Sequence, residues 1–139
     1  MKRGQAKSKI KLRRINPPTL SKPNGWTQVV VATGKPTIYI AGQVSVDKDG
    51  SVVGPGDFRA QAIQVFENLK AALAAAGAGF KEVVKVNYYL LDMANAPIMR
   101  EVRNSYFKSD FPASTLVEVG KLARDEFMLE IEAIAVSSK

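Results

Sequence analysis

Three glutamates in the C-terminal stretch "FPASTLVEVGKLARDEFMLEIEAIA", Glu118, Glu130 and Glu132, stand among residues whose types ask for burial. The stretch reads as two short β-strands joined by a charged turn. Side chains alternate along a strand, so Leu129, Ile131, Ala133 and Ala135 share one face, while Glu130, Glu132, Ile134 and Val136 share the other. Burying an unpaired carboxylate costs roughly several kcal/mol, so the second face either looks into water or meets donors on another surface. The chain has neither Cys nor His, which removes Ser-His-Asp and Cys-His nucleophile systems and every zinc site built on thiolate or imidazole. Acid–base work is left to Asp, Glu, Tyr or Lys. No Asp-rich loop of calcium-binding type occurs, and "VDKDGS" at 46–51 reads as a turn, so no metal is expected.

The elements that must position these carboxylates follow from periodicity. "WTQVVVA" and "PTIYIAGQVS" read as a hairpin turning at Thr33-Gly34-Lys35. From Asp57, apolar residues Phe58, Ala62, Val65, Phe66, Leu69, Leu73 and Ala76 recur at helical spacing, and Gly77 closes the run. "EVVKVNYYLLD" alternates as a strand, "NAPIMREVRNSYF" gives a shorter helix with Met99, Val102 and Tyr106 inward, and two strands close the chain. The order ββαβαββ predicts an α+β sandwich, with two helices on one face of a mostly antiparallel sheet. The other sheet face then carries apolar residues beside the glutamates, which argues for oligomerisation, with partners for Glu118, Glu130 and Glu132 in a groove between subunits. Glutamates simply wetted on an open face remain the alternative.

The 139 residues suit a single core. We expect a basic N-terminal leader over 1–22 and one domain over 23–139. The first 14 residues hold seven Lys or Arg and no acid, so the net charge of +7 sits in the tail and the body is neutral. Such an arm suits sequence-independent contact with nucleic acid, yet it carries no interleaved aromatic residues for stacking, and nucleic acid is not expected as a partner. Removing residues 1–14 is expected to leave the fold intact, with the core beginning at the Trp26 strand. No apolar run approaches the roughly 18 residues of a membrane helix, and no signal-peptide pattern follows the basic start, so no membrane partner and a cytoplasmic location are expected.

Four segments, "IYIAGQVSVDKDGSVV", "QAIQVFENLKAALAAAGAGFKEVVKVNYYLLDM", "FPASTLVEV" and "EIEAIAV", resemble in order and spacing the successive motifs of the RidA/YjgF family, from about residue 26 to residue 136. The resemblance implies a chorismate-mutase-like fold assembled as a homotrimer, with ligand sites in the clefts between subunits. It implies hydrolysis of a reactive imine or enamine to a keto acid and ammonia, with no cofactor. In the family pattern the first Glu of E-I-E-A positions the attacking water, which assigns Glu130 as the catalytic residue. The Arg of the family's P-A-R-S or P-A-R-T, which grips the substrate carboxylate, is replaced here by Ser114, followed by Thr115 and Leu116. Ala41 occupies the serine of S-G-Q, beside Gly42, and Trp26 replaces an early tyrosine. Arg100 stands where active members often have an Asn facing the cleft.

The substrate-binding set expected from the resemblance is therefore Arg100, Ser114, Thr115, Ala41, Gly42 and Trp26. Arg100, Arg103, Asn104 and Phe107 share one helix side by spacing, so Arg100 is the candidate replacement cation, with solvated arginines as the alternative. Losing a charge-assisted contact costs roughly 1.5 to 3 kcal/mol, so activity on 2-iminobutyrate is expected to be weak or absent. Three readings remain, in this order: a deaminase with altered specificity, a trimeric binder of small imine, enamine or carboxylate ligands that has lost the chemistry, and an RNA-acting protein using its tail.

Overall fold

The first long helix shows how directly local signals build this chain. Asp57 caps it, its Oδ1 accepting from the Ala60 N–H at 3.1 Å, and the helix α1 runs over Phe58–Ala75. Its buried side chains Phe58, Ala62, Val65, Phe66, Leu69 and Leu73 recur every three or four residues, which gives one apolar stripe. Gly77, at φ +73°, reverses the chain, and the N–H groups of Gly77 and Ala78 close back on the carbonyls of Ala74 and Leu73.

The computed structural model describes residues 11–19, 22, 24–33 and 36–137. Besides α1 it holds strands β1 (Lys11–Ile15), β2 (Val29–Thr33), β3 (Thr37–Gln43), β4 (Val83–Leu90), β5 (Ala113–Glu118) and β6 (Leu129–Val136), and a second helix α2 (Ala96–Arg103). Four strands form one sheet in the order β3-β6-β4-β5. Of its three pairings only β4–β5 is parallel, so the sheet is mostly antiparallel, as expected for the α+β class. The core lies between this sheet and the helices: Val86, Tyr88 and Leu90 from β4 and Leu129, Ile131, Ala133 and Ala135 from β6 are buried against α1. The two strands of the C-terminal stretch do not pair, because β4 lies between them.

The expected β2–β3 hairpin is not formed. β3 pairs with β6, where Ile40 reaches the core, while β2 pairs with β1 in a two-stranded ribbon that leaves Val31, Ala32 and Thr33 exposed. A local turn signal at Thr33-Gly34-Lys35 carried less weight than the apolar face that β3 can cover on β6. Residues 11–15 of the basic leader thus supply a strand, and residues 1–10 lie outside the described residues.

α2 ends at Arg103, earlier than its apolar pattern suggested, and this redirects Phe107. That residue is buried in the core, edge-on to Phe80 with ring centroids 5.0 Å apart, and does not share a solvent-facing side with Arg100. Met99 and Val102 are buried as expected, and Tyr106 stacks on Phe66 at 4.9 Å. No helix among the described residues is long and apolar enough to cross a membrane.

Candidate functional site

The segment before β2 is held against the edge of the main sheet. The Thr27 hydroxyl and N–H donate to the carbonyls of Phe111 and Pro112, and Thr27 bridges Ala113 in parallel fashion. This places Trp26 beside the start of β5. Together with α2 it encloses a cleft of about 600 Å³ whose lining includes Trp26, Tyr88, Arg100, Arg103, Ser114 and Leu116. The lining is mostly polar, and the α2 wall is cationic.

Arg103 is the ordered cation of that wall. Its Nε and Nη2 donate to Asn104 Oδ1 at 3.2 and 3.0 Å, and its guanidinium lies over the Phe111 ring, 5.6 Å from the centroid. Gly25, at φ +76°, passes so close that a Cβ there would collide with the guanidinium. Burial pulls the Arg103 pKa below its usual value, with the nearby Arg100 charge adding to that effect. Burial also pushes the Tyr88 phenol well above its usual value, so it lines the cleft as a neutral group.

The carboxylates sit on the opposite face of the sheet. Tyr89 lies across from Glu130, and Asn87 across from Glu132, whereas the cleft residue Tyr88 points to the helix side. Glu130 packs against Gly42, where a Cβ would fall 2.5 Å from its Oε1. Glu132 accepts from Asn87 Nδ2 at 2.9 Å and from the Tyr89 hydroxyl. The Tyr89 and Asn87 hydrogen bonds, with Lys85 nearby, hold the Glu132 pKa below the ordinary carboxylate value, and Glu132 in turn raises that of Tyr89. Glu130 makes no hydrogen bond or ion pair among the described residues, which leaves its oxygens free for water. Ala41 lines a second depression of about 450 Å³ on this face, with Tyr39, Lys85, Asn87, Glu132 and Ile134.

The expected site residues therefore fall into two groups within one chain. Trp26, Arg100 and Ser114 meet in the helix-side cleft, while on the open face Gly42 meets Glu130 and Ala41 lines the depression that holds Glu132. Thr115 joins neither cluster closely: it points away from Ser114, exposed, and accepts from Lys85 Nζ at 2.7 Å. Glu118 is also apart, exposed and accepting from the Met93 N–H. Sequence reading did not single out Gly25, Tyr88 or Phe111 around the cleft. The Asn24-Gly25 pair was the one local signal, as a turn that needs positive φ. No group of three or more His, Cys, Asp or Glu among the described residues could hold a metal ion.

Residues 19–137 match the family described as Endoribonuclease L-PSP. A RutC family protein of Pyrococcus horikoshii is 41% identical over 114 residues, which is 82% of this chain and 89% of that one. A protein of Dermatophagoides farinae named 2-iminobutanoate/2-iminopropanoate deaminase is 34% identical over 124 residues, 89% of this chain and 95% of its own length. The crystal structure of a Rid family protein from Yersinia pestis, described as of unknown function, superposes with a TM-score of 0.84 at 35% identity, covering 91% of this chain and 98% of that one. Matching motifs, near-complete coverage and a shared fold agree: the chain belongs to the RidA/YjgF family.

Proposed function

We infer that this protein is a deaminase that hydrolyses a reactive 2-imino acid to the 2-keto acid and ammonia, with a specificity altered by the loss of the P-A-R arginine. The observation that carries this reading is the Glu130 carboxylate, packed on Gly42 with no hydrogen bond or ion pair among the described residues. In the reaction, water oxygen bonds to the imine carbon as Glu130 accepts its proton. Glu130 returns that proton to the nitrogen to give the carbinolamine, and the carbinolamine hydroxyl proton then passes to the same nitrogen through Glu130 as the C–N bond breaks, so that the keto group forms and ammonia leaves. A carboxylate suits this exchange because it can accept a proton from water and pass it on without a cofactor.

The cleft with Trp26 and Arg103 and the Glu130–Gly42 pair lie on opposite faces of one sheet, so a complete site needs two copies of the chain. A homotrimer, in which each cleft meets the open face of a neighbour, supplies that geometry and also covers the exposed Tyr39 ring. Ser114 in the arginine position favours a second reading, a trimeric ligand binder without turnover.

A panel of 2-imino acids, generated in situ from amino acids by an oxidase, separates the two. The deaminase reading expects at least one imine to be hydrolysed faster than it decays alone, with Glu130→Ala reducing that rate about a hundredfold. An unmodified protein that accelerates none of them establishes the binder instead.

A further inference from the structure

Ser114 removes the family's anion clamp from β5, yet the cleft still contains a guanidinium with an unusual setting. Arg103 is half-buried, stacked on Phe111, roofed by Gly25 and oriented by Asn104. Two of its five N–H groups go to a single neutral oxygen, Asn104 Oδ1. Among the described residues the ion pairs are Arg59–Glu101 and Lys121–Asp125, so Arg103 has no counterion among them. A desolvated cation with no counterion is costly, and the adjacent Arg100 charge makes it more so. An arriving anion relieves both effects.

We propose that Arg103, braced by Gly25, Phe111 and Asn104, is the residue that binds the carboxylate of the ligand, replacing from α2 the contact that Ser114 cannot make from β5. Arg100, exposed at the rim of the same cleft, attracts the anion without orienting it. The planar fork of Arg103 presents its remaining N–H groups to a carboxylate, a geometry that a lysine ammonium does not reproduce. The ligands of the site are thus carboxylates rather than neutral carbonyl compounds. Ser114 and Leu116 leave room beside the clamp for a side chain. This inference rests on reading the cleft as the ligand pocket.

Trp26, the single tryptophan of the chain, lines that pocket and reports occupancy by its fluorescence. The full-length protein is titrated with 2-oxobutanoate and with 2-butanone, which lacks the carboxylate. We expect saturable binding of 2-oxobutanoate alone. Arg103→Gln should weaken it roughly ten- to a hundredfold, Arg103→Lys should fall between, and Arg100→Gln should cost less than Arg103→Gln. Adding Ser114→Arg to Arg103→Gln should recover binding, which separates loss of the clamp from loss of the fold. The proposal is overturned by equal binding of the ketone, by Arg103→Gln binding as tightly as the unmodified protein, or by a larger loss for Arg100→Gln. It is also overturned if sedimentation shows Arg103→Gln dissociating the oligomer, since Arg103 would then pair with a neighbouring chain. Imine hydrolysis that depends on Glu130 while 2-oxobutanoate binding ignores Arg103 removes only this assignment. Arg103-dependent binding without turnover of any imine removes the deaminase reading and leaves the anion site.

Discussion

Glu130 and Gly42 are in such close approach that any Cβ at position 42 would overlap the carboxylate, with 2.5 Å to Oε1 and 2.7 Å to Cδ. The bulge between Ile40 and Gln43 brings β3 into this contact. Gly42→Ala must therefore displace Glu130 rather than be accommodated. Because Gly42 is at the sheet edge and outside the buried core, the fold should survive. We expect the rate of imine hydrolysis to fall at least tenfold while the circular dichroism spectrum stays the same. Full activity in Gly42→Ala would show that the position of Glu130 is not critical.

Glu132 gives the open face a pH dependence. Its folded pKa is depressed below the ordinary 4.5 by the Tyr89 and Asn87 hydrogen bonds, so the unfolded chain takes up its proton first as pH falls. The stabilisation is present above the ordinary carboxylate value and is lost as pH falls through the lower folded value. Thermal unfolding of the unmodified protein should weaken between about pH 5 and pH 3 more steeply than that of Glu132→Gln. Parallel curves for the two proteins would remove Glu132 as a source of acid sensitivity.

Gln61 is a fully buried polar residue on the apolar face of α1, with each of its amide atoms in use. Nε2 donates to the carbonyls of Gly54 at 3.1 Å and Glu126 at 2.8 Å, and Oε1 accepts from the Met128 N–H at 3.0 Å. It ties the helix entrance to the loop that delivers β6, and hence Glu130, to the sheet. Gln61→Leu leaves those backbone groups unpaired and should destabilise the protein by about 2 to 4 kcal/mol, read from denaturant midpoints. A change below about 0.5 kcal/mol would mean that water or backbone shifts replace the amide.

Removing residues 1–14 takes away most of β1, its pairing with β2, and the bond from Arg14 Nε to the Phe111 carbonyl. None of these belongs to the four-stranded sheet. The core and its assembly should persist, with the unfolding temperature lowered by on the order of 5 °C. A truncated chain that does not fold would make the ribbon part of the core.

Much of the fold was legible because its signals are local. Asp57, the spaced apolar residues and Gly77 delimit α1 without knowledge of anything else in the chain. The alternation from Leu129 to Ala135 likewise gave the correct faces of β6, and it breaks at Val136, expected on the open face but buried. Pairing partners were harder, since Thr33 and its neighbours signal a turn but cannot say that β3 lies along β6. Glu130 was singled out by its place in E-I-E-A, whereas its contact with Gly42 depends on the pairing of β3 with β6, which the sequence does not state. Thr115 was grouped with Ser114 by adjacency, although neighbours on a strand face opposite ways. Helical spacing put Arg103 beside Arg100, but its bracing comes from Gly25 and Phe111, distant in sequence and brought together by the Thr27 contacts.

Those Thr27 contacts have another effect. β5 is one of the two edge strands of the sheet, and an unpaired strand edge is a template on which a second chain can add and start an aggregate. Thr27 occupies the beginning of that edge, its N–H on the Pro112 carbonyl and its backbone bridged to Ala113. The short segment that sets Trp26 over the cleft is thus also a guard against edge-to-edge growth. A variant in which it detaches loses the pocket wall and exposes an adhesive edge in the same event, so impaired ligand binding and precipitation should appear in the same mutants.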